Sequence, residues 1–386
     1  MELARRHLLI VTGALLALGL VMVYSASFVV AEQRFGSATF FLERQCVYLL
    51  AGCIALAVGS LWDYHALGRH WKIWLGLAVL ILIAVLFPGI GERINGARRW
   101  FRIGSLTFQP SEAAKILCVL GIAGWAATRG EELRTFTRGF LPAALLAGVP
   151  VALVALEPDL GTAALLATVL CAMLFVAGVR LAYALPFLCI AAPAGALLAW
   201  EKLGYVRDRL EHFFTGEYDP LGRGYQVHQA LIAQGSGGVW GAGLGQGHAK
   251  LLYLPEAHND FILALIGEEL GLIGSCLILL GFACLVWHGW TVARKAPDLL
   301  GSLLALGVTL MLGLQAAMNI AVVTRSMPTK GISLPLISYG GSALIFTLFG
   351  IGILLNVAAH PPAEEAPRAL GAVARGSGRP LSARTA

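Results

Sequence analysis

The chain has 386 residues, of which 58% are hydrophobic and 13% charged, whereas soluble domains have about half apolar and about a quarter charged residues, so an ordinary soluble globule is excluded. The net charge of +6 does not indicate nucleic-acid binding, because no clustered basic face of the kind that function requires is visible. All seven cysteines lie in apolar runs without CxxC spacing, which argues against a disulfide framework or a cysteine metal site.

Ten charge-poor stretches are each long enough to cross a bilayer core about 30 Å thick, which takes roughly 20 helical residues. Because only helices and closed barrels satisfy their backbone hydrogen bonds in lipid, and these runs lack strand-like alternation, each is predicted to be a helix. The predicted spans are 8–29, 45–62, 72–88, 110–127, 140–156, 161–179, 181–200, 259–288, 299–324 and 340–359. The sequence therefore predicts an all-α polytopic membrane protein, a single bundle of about ten transmembrane helices within residues 1–360.

The two ends of the chain are predicted from composition. The apolar run that begins at Leu8 exceeds the usual signal-peptide core of about 7–15 residues, which predicts an uncleaved first helix. Residues 361–386 are rich in Pro, Ala, Gly and Arg, and this composition predicts a disordered tail. With ten spans, both termini lie on the same side of the membrane.

Basic residues do not decide the orientation of the bundle by the positive-inside rule. With the N-terminus inside, 14 basic residues lie inside and 13 outside, and Lys115 lies within a span. Acidic residues are unequal, with seven inside and 15 in outer loops or spans. The outer side, which also holds the long connection 201–258 between the seventh and eighth spans, therefore carries most ionisable residues that could do chemistry.

The outer segment before the fourth span carries Arg98, Arg99 and Arg102 around Trp100. Arginine forks match phosphate oxygens bidentately and tryptophan favours the headgroup boundary, so these residues could hold an anionic lipid headgroup. The alternative is a solvated loop with an interfacial tryptophan anchor. We favour the functional interpretation, because three arginines on the outer side, where such charges tend to be depleted, call for a reason.

The fourth span begins with QPSE (109–112), a sequence typical of a helix start. Lys115 follows Glu112 by three residues on the same helical face, which predicts an ion pair. Ionisable residues in a span are functional candidates by default, but a neutralised structural pair is an equal alternative. In the turn EPDLGT (157–162), Asp159 is predicted to cap the next helix rather than to hold a cation.

The long outer connection contains GSGGVWGAGLGQG (235–247). This stretch lacks the G-x-G-x-x-G order and a preceding strand, so a dinucleotide site is rejected. Two interpretations remain, a flexible backbone beside a bulky ligand or moving lid, and a re-entrant connector.

The connection ends in LPEAHNDF (254–261), where Glu256, His258 and Asp260 form a cluster suited to proton transfer or metal ligation. The alternative is that the aspartate only caps the following helix. Glu268 and Glu269 lie about two turns deeper, where an unpaired carboxylate is costly, so they are expected to meet a cation or hydrogen-bond donors from other spans.

The segment PTKGISLPLISYGGS (328–342) is irregular and punctuated by Pro and Gly. Such backbone at membrane depth is tolerated only where it is buried in protein or lines a cavity. Lys330, Ser338 and Tyr339 could line that cavity, and the alternative is a re-entrant structural loop.

Eight of these motifs occur in one order and spacing between about residues 12 and 358, and together they resemble the SEDS family of shape, elongation, division and sporulation proteins. The motifs are MVYSAS (22–27), NGARRW (95–100), FQPSEAAK (108–115), EPDLGTA (157–163), DPLGRGYQ (219–226), LPEAHNDF (254–261), IGEELG (266–271) and PTKGISLPLISYGGS (328–342). PTKG and MVYS are more similar to the division branch than to the elongation branch. The family usually has Thr where this chain has Asn259.

The resemblance implies a peptidoglycan glycosyltransferase that polymerises lipid II on the outer face of the bacterial cytoplasmic membrane, with both termini in the cytoplasm. It also implies a class B penicillin-binding transpeptidase and other divisome or elongasome membrane proteins as partners. A lipid II flippase and a non-catalytic scaffold for a transpeptidase are the alternatives. The enzyme is preferred to a transporter, because the charges cluster at one face and no internal repeat is visible.

Joining a sugar hydroxyl to an anomeric carbon that carries a lipid pyrophosphate needs a base and charge stabilisation of the leaving group. A single in-line displacement inverts the anomeric centre and uses one carboxylate base, and Asp260 is assigned as this catalytic residue by its match to the family. The candidates to hold pyrophosphate are Arg98, Arg99, Arg102, Lys115 and Lys330, with Glu112, Glu256, His258, Glu268, Ser338 and Tyr339 as supporting residues. The sequence establishes no cofactor, and a divalent cation, Mg²⁺ or Mn²⁺, could assist.

Overall fold

A computed structural model describes residues 1–94, 97–103, 106–183, 225–250 and 257–360, together with residues 204 and 254. Its helices are α1 (Glu2–Phe35), α2 (Phe40–Leu61), α3 (Tyr64–Arg69), α4 (Trp71–Leu86), α5 (Pro110–Ala127), α6 (Leu141–Leu156), α7 (Leu160–Ala177), α8 (Tyr225–Ser236), α9 (Ile262–Lys295), α10 (Leu299–Val323) and α11 (Gly341–Ala359). Short helical segments are Gly130–Arg134, Phe136–Phe140 and Leu181–Tyr183, and the strands are β1 (Glu92–Ile94), β2 (Ala97–Ile103) and β3 (Leu106–Phe108).

Seven helical stretches in the described ranges are long and apolar enough to cross a membrane. They are Glu2–Phe35, Phe40–Leu61, Phe136–Leu156, Leu160–Ala177, Ile262–Lys295, Leu299–Val323 and Gly341–Ala359, with Trp71–Leu86 as a shorter apolar helix. Together with α5, these helices coincide with nine of the ten predicted spans, and the prediction of an all-α membrane bundle is confirmed. The predicted span 181–200 beyond residue 183 and the predicted tail 361–386 lie outside the described residues.

The helix α5 lies at the centre of the bundle. Every residue from Pro110 to Ala126 is buried, and α4, α6, α7, α10 and α11 all contact this helix. Small residues let the neighbouring helices approach closely, because a Cβ at Gly124 would lie 2.7 Å from the Cβ of Trp71. The charges that α5 carries are therefore held inside the protein and away from lipid.

The helix α2 packs along α11, and α1 packs along α9. At one crossing a Cβ at Gly59 would lie 2.7 Å from the carbonyl oxygen of Phe349, so only glycine permits this approach. The outward side chains of α2, among them Val47, Leu50 and Ile54, are exposed and apolar. This distribution is that of a lipid-facing surface.

A small antiparallel sheet, which the sequence did not predict, lies in the segment between α4 and α5. Its strand order is β1-β2-β3, with Glu92 opposite Trp100 and Phe101 opposite Phe108. The Phe101 and Phe108 rings stack with centroids 6.2 Å apart. The sheet places the arginine-rich motif on a strand, where successive side chains point to opposite faces.

Candidate functional site

The helices α2, α5, α7, α9 and α11 begin at one end of the bundle, around the connection between α10 and α11. The Gln109 backbone N–H donates to the Ser342 hydroxyl over 3.1 Å, which joins the starts of α5 and α11. Lys330 of the connection packs against Gly161 in the first turn of α7, and Asp260 immediately precedes α9. Helix N-termini carry a partial positive charge and unpaired N–H groups, so this end of the bundle is suited to an anionic ligand.

The Asp260 carboxylate packs on Gly331 of that connection. A Cβ at residue 331 would lie 2.6 Å from Oδ2 of Asp260, so the close approach depends on glycine. Asp260 is half-buried, and Lys330 is the residue next to this glycine. The fold thus brings together the predicted base and one of the predicted cations, which are 70 positions apart in the sequence.

The Lys330 ammonium lies 3.3 Å from Oδ1 of Asp159. Asp159 also caps α7 by accepting the Thr162 backbone N–H over 3.2 Å, so the predicted cap is confirmed. Burial of Asp159 opposes its ionisation, but the charges of Lys330 and Arg99 outweigh this and hold the pKa of the carboxyl below its usual value. Asp159 is therefore an anion that holds Lys330 in place.

The strand β2 separates the three arginines. Arg99 points to the turn between α6 and α7, where its Nε donates to the Glu157 carbonyl over 2.7 Å and its terminal nitrogen donates to the Pro158 carbonyl. A bulge interrupts β2 here, because Glu92 lies opposite Trp100 whereas Arg93 lies opposite Arg98, so the three arginines do not follow simple alternation. Arg102 is exposed and pairs with Glu92 over 2.8 Å. Of the three, Arg99 is the one that contacts residues next to Asp159.

The side chain of Glu157 is fully buried beside this cluster. Among the residues that the structure describes, neither carboxyl oxygen has a hydrogen-bond partner. Burial raises the pKa of Glu157 to about 8, the neighbouring Asp159 charge adds to this effect, and the Arg99 charge opposes it. The turn between α6 and α7 therefore holds one ionised carboxylate and one carboxyl that favours its neutral form.

Lys115 lies deeper in the bundle and is only 2% exposed. Its ammonium lies 2.9 Å from Oε2 of Glu112, which confirms the predicted pair, and it also donates to Oε1 of Gln315 on α10 over 2.7 Å. The Gln315 amide nitrogen in turn donates to the Ser333 carbonyl over 3.1 Å. Lys115 is thus connected to the same α10–α11 segment that carries Lys330.

His258 and Tyr339 pack together at the edge of the site. Their ring centroids are 5.7 Å apart, the Tyr339 backbone N–H donates to the His258 carbonyl over 3.0 Å, and Phe41 of α2 contacts both rings. Arg44 of α2, which the sequence did not point to, lies close enough to Tyr339 for its charge to act on the phenol. The Ser338 hydroxyl accepts the Leu334 backbone N–H over 2.8 Å and so closes its own turn.

Glu268 and Glu269 both hold the described part of the long outer connection onto α9. Glu268 accepts the backbone N–H groups of His248 over 2.6 Å and Ala249 over 3.2 Å. Glu269 accepts Lys250 Nζ over 2.6 Å and the Ser25 hydroxyl of α1 over 2.7 Å. The expectation of a cation or donors from other spans is confirmed for Glu269, whereas Glu268 meets backbone N–H groups of the connection, and Lys250 is a partner that the sequence did not predict.

The glycine-rich stretch packs against a kink in α9. Gly271 has φ 68° and ψ −164° inside this helix, a conformation that glycine adopts without strain. A Cβ at Gly271 would lie 2.7 Å from the Trp240 carbonyl carbon, so the loop backbone lies directly on the kink. The described part of this stretch is therefore a packed connector that seats on α9.

Within the described ranges, no group of three His, Cys, Asp or Glu side chains is placed to hold a metal ion. Glu256, one of the predicted supporting residues, lies outside these ranges. The described carboxylates of the turn before α7 are Glu157 and Asp159, and Arg99 and Lys330 flank them. This donor set does not form a protein cage for a divalent cation by itself.

Two amides of α10 complete the contacts around the site, Gln315 and Asn319. They lie one helical turn apart in a span that has no charged and no other amide side chain. A polar side chain inside a membrane helix is a functional candidate by default, and this signal was present in the sequence. The site is therefore an arrangement of charged and amide side chains, at one end of a polytopic helical membrane protein, around a Gly- and Pro-rich connection.

Comparison with known proteins agrees with this class. The family model FTSW_RODA_SPOVE, described as cell cycle protein, matches residues 6–362. The chain is similar to the probable peptidoglycan glycosyltransferase FtsW of Trichlorobacter lovleyi, with 42% identity over 353 residues that cover 91% of this chain and 92% of that protein. It is also 40% identical to the stage V sporulation protein E of Bacillus subtilis over 357 residues, covering 92% and 96% of the two chains.

Solved structures give the same result. One solved structure superposes on this chain with a TM-score of 0.74 at 30% identity, covering 91% of this chain and 96% of that chain. It is described as structural coordination of polymerization and crosslinking by a peptidoglycan synthase complex. The rod shape determining protein RodA of Thermus thermophilus gives 0.64 at 29% identity, covering 91% and 95%. The chain belongs to the FtsW/RodA/SpoVE family, that is, the SEDS family, and its similarity to FtsW confirms the predicted likeness to the division branch.

Proposed function

We propose that this protein polymerises lipid II into β-1,4-linked glycan strands, with Asp260 as the catalytic base. The enzyme class is peptidoglycan glycosyltransferase, the activity that the names of FtsW relatives 42–43% identical to this chain give. The observation that carries the residue assignment is the packing of the Asp260 carboxylate on Gly331, next to Lys330. This arrangement supplies a base and a cation at one place.

The chemistry follows from these groups. Asp260 removes the proton from the attacking sugar hydroxyl, the hydroxyl oxygen forms the new bond to the anomeric carbon, and the lipid pyrophosphate leaves with the electron pair of the broken bond. Cations that face the leaving group stabilise the charge that develops there. Lys330 and Arg99 are our candidates for this role, because both reach the start of α7.

Lys115 contributes differently in this proposal. Its ammonium is buried and already engaged by Glu112 and Gln315, so direct contact with a phosphate requires the α10–α11 segment to move. In the arrangement described above, Lys115 supports that segment through Gln315. We assign Arg102, which is exposed and paired with Glu92, to a lipid headgroup rather than to the reacting atoms, and Arg98 of the same strand to the same role.

We extend the proposal to a divalent cation, Mg²⁺ or Mn²⁺. Mg²⁺ is usually held by one or two carboxylates together with substrate phosphates, so Asp260 and the bound pyrophosphate would suffice where the protein lacks a cage of its own. When bound, the cation would polarise the phosphate oxygens of the leaving group. Asp159 is a weaker candidate, because Lys330 already neutralises it.

Family membership makes the chain a multi-pass membrane protein, and we propose that its site faces outward from the cytoplasmic membrane with both termini in the cytoplasm. The solved structure with which it superposes concerns a complex that coordinates polymerization and crosslinking. That description supports a class B penicillin-binding transpeptidase as partner, together with other divisome membrane proteins.

The test separates the enzyme from a flippase and from a scaffold. Purified full-length protein with its transpeptidase partner is mixed with lipid II in detergent micelles, which have no second leaflet, and a moenomycin-type inhibitor suppresses the other class of glycosyltransferase. The proposal predicts glycan polymer on a gel. A flippase or a scaffold leaves lipid II unpolymerised, and that result would overturn the proposed function.

A further inference from the structure

The amide group of Asn319 bonds two separate parts of the site, the backbone of Asp260 and the backbone of the segment that carries Lys330. The Asn319 side chain is 1% exposed on α10. The amide nitrogen donates to the Asp260 carbonyl over 2.8 Å and to the Ile332 carbonyl over 2.6 Å. Because both partners are acceptors, they require the two N–H donors of an amide and fix its orientation.

These two hydrogen bonds are made to segments that form neither helix nor strand. Asp260 precedes the first residue of α9, and Ile332 lies in the irregular segment that also holds Lys330. Neither stretch has a helix or strand to set its position relative to the other. The Asp260 carboxylate nevertheless packs on Gly331, the residue immediately before Ile332. Asn319 thus ties the backbone of the base to the backbone of the cation-bearing segment.

We propose that Asn319 is a positioning residue, which sets the distance between the Asp260 carboxylate and the Lys330 ammonium. This inference rests on the proposed function, because it assigns Asp260 as the base. A catalytic group displaced by about 1 Å can lose roughly 100-fold in rate, so loss of the two bonds acts on the chemical step. Gln315, one turn earlier on α10, holds the next part of the segment through the Ser333 carbonyl.

The chain offers a matched control in Asn356. This asparagine is 5% exposed on α11, and its amide also makes two backbone bonds, accepting the Tyr64 N–H over 3.3 Å and donating to the Ser60 carbonyl over 2.7 Å. It lies at the opposite end of the bundle. Asn319→Leu and Asn356→Leu therefore remove a similar number of buried hydrogen bonds, and only the first touches the site.

The experiment compares kcat and KM for lipid II polymerisation by the full-length variants, reconstituted with the transpeptidase partner. We expect similar losses of thermal stability in the two leucine variants. We expect kcat of Asn319→Leu to fall about 10–100-fold with KM changed less than about twofold, and kcat of Asn356→Leu to stay within about twofold of wild type. Equal kcat losses in the two variants at matched stability, or a loss confined to KM, would overturn the inference.

Asn319→Asp keeps the packed shape and serves if the leucine variant does not fold. The new carboxyl is buried against two carbonyl oxygens, which favours its neutral form, and it can donate to at most one of them, so kcat should fall with little change in KM. A wild-type kcat in this variant, with Asp260→Asn inactive, would overturn only the positioning role. Full activity of Asp260→Asn would instead overturn the proposed function.

Discussion

The Lys330 ammonium lies 3.3 Å from the Asp159 carboxylate and joins the segment after α10 to the first turn of α7. The lysine side chain fits there because residue 161 is glycine, and a Cβ at Gly161 would occupy the space of the lysine tip. Asp159 remains ionised, so it holds the Lys330 ammonium in place. The position of Lys330 therefore depends on the negative charge of Asp159 and on the absence of a Cβ atom at Gly161.

This geometry predicts that Gly161→Ala reduces polymerisation by about 10-fold or more, because the new methyl displaces the Lys330 side chain from a site where its charge acts. The flexible lysine tip can move, so the protein should still fold. The matched control is Gly148→Ala in α6, where a Cβ meets nothing within 4 Å. Each is a glycine-to-alanine change in a helix, which by itself favours the helix. Equal activity of the two variants would contradict the role of Lys330.

A second prediction concerns the buried pair of Lys250 and Glu269. Lys250→Met leaves the Glu269 carboxylate, which is fully buried, without its cation and should destabilise the protein by about 3–5 kcal/mol. The double variant Lys250→Met with Glu269→Gln should lose less, because no charge remains unpaired. Thermal unfolding in detergent measures both.

The control for that pair is Arg134→Met, which removes an exposed partner of Glu131 and should change stability by less than about 1 kcal/mol. Two results would contradict a stabilising role of the Lys250–Glu269 pair. One is that Lys250→Met is as stable as Arg134→Met, and the other is that the double variant is less stable than Lys250→Met alone.

Glu157 gives a prediction about pH. Its folded-state pKa of about 8 lies above its ordinary value, so the folded protein favours the neutral carboxyl, and its contribution to stability is lost as pH rises toward and through 8. Glu157→Gln is always neutral. Its melting temperature should exceed that of wild type by a margin that grows between about pH 4.5 and about pH 8 and then levels off. A constant margin across this range would show that Glu157 is ionised throughout.

The opposite end of the bundle has its own pH dependence. His65 lies 3.0 Å from the Asp63 carboxylate and 2.9 Å from that of Asp298, which caps α10. Burial opposes protonation, but hydrogen bonds to the two carboxylates and their charges outweigh it and raise the pKa of His65. Its contribution to stability is therefore complete below the ordinary histidine pKa of about 6.5 and is lost as pH rises through the folded-state pKa.

His65→Gln should remove this part of the pH dependence of thermal stability and leave the part that Glu157 controls. His228→Gln changes a histidine in α8, away from Asp63 and Asp298, and serves as the control. A melting temperature that falls with pH as steeply in His65→Gln as in wild type would contradict the assignment.

The helices could be predicted because long apolar runs have one stable conformation in lipid. The pair of Glu112 and Lys115 also followed from helical spacing, and the cap at Asp159 from its place before an apolar run. These features are local, so the sequence around each of them was sufficient. The likeness to a family added Asp260, whose neighbours are distant in the chain.

Other features depend on tertiary contacts. The sequence placed three arginines in one cluster, but in the fold Arg99 bonds the turn between α6 and α7, whereas Arg102 pairs with Glu92 of β1. Lys250 and Glu269 are 19 positions apart and meet only because the connection folds back onto α9. Asn319 was visible as a polar residue in a span, but its two carbonyl partners come from separate irregular segments.

The most direct test of the account is lipid II polymerisation by Asp260→Asn, compared with Asp298→Asn at the other end of the bundle. Both changes remove one negative charge and keep the shape, and Asp298 caps α10 without contacting the site. We predict that Asp260→Asn polymerises at least about 100-fold more slowly than wild type at unchanged thermal stability, as expected for loss of a general base, and that Asp298→Asn polymerises normally. Wild-type polymerisation by Asp260→Asn would contradict the central claim.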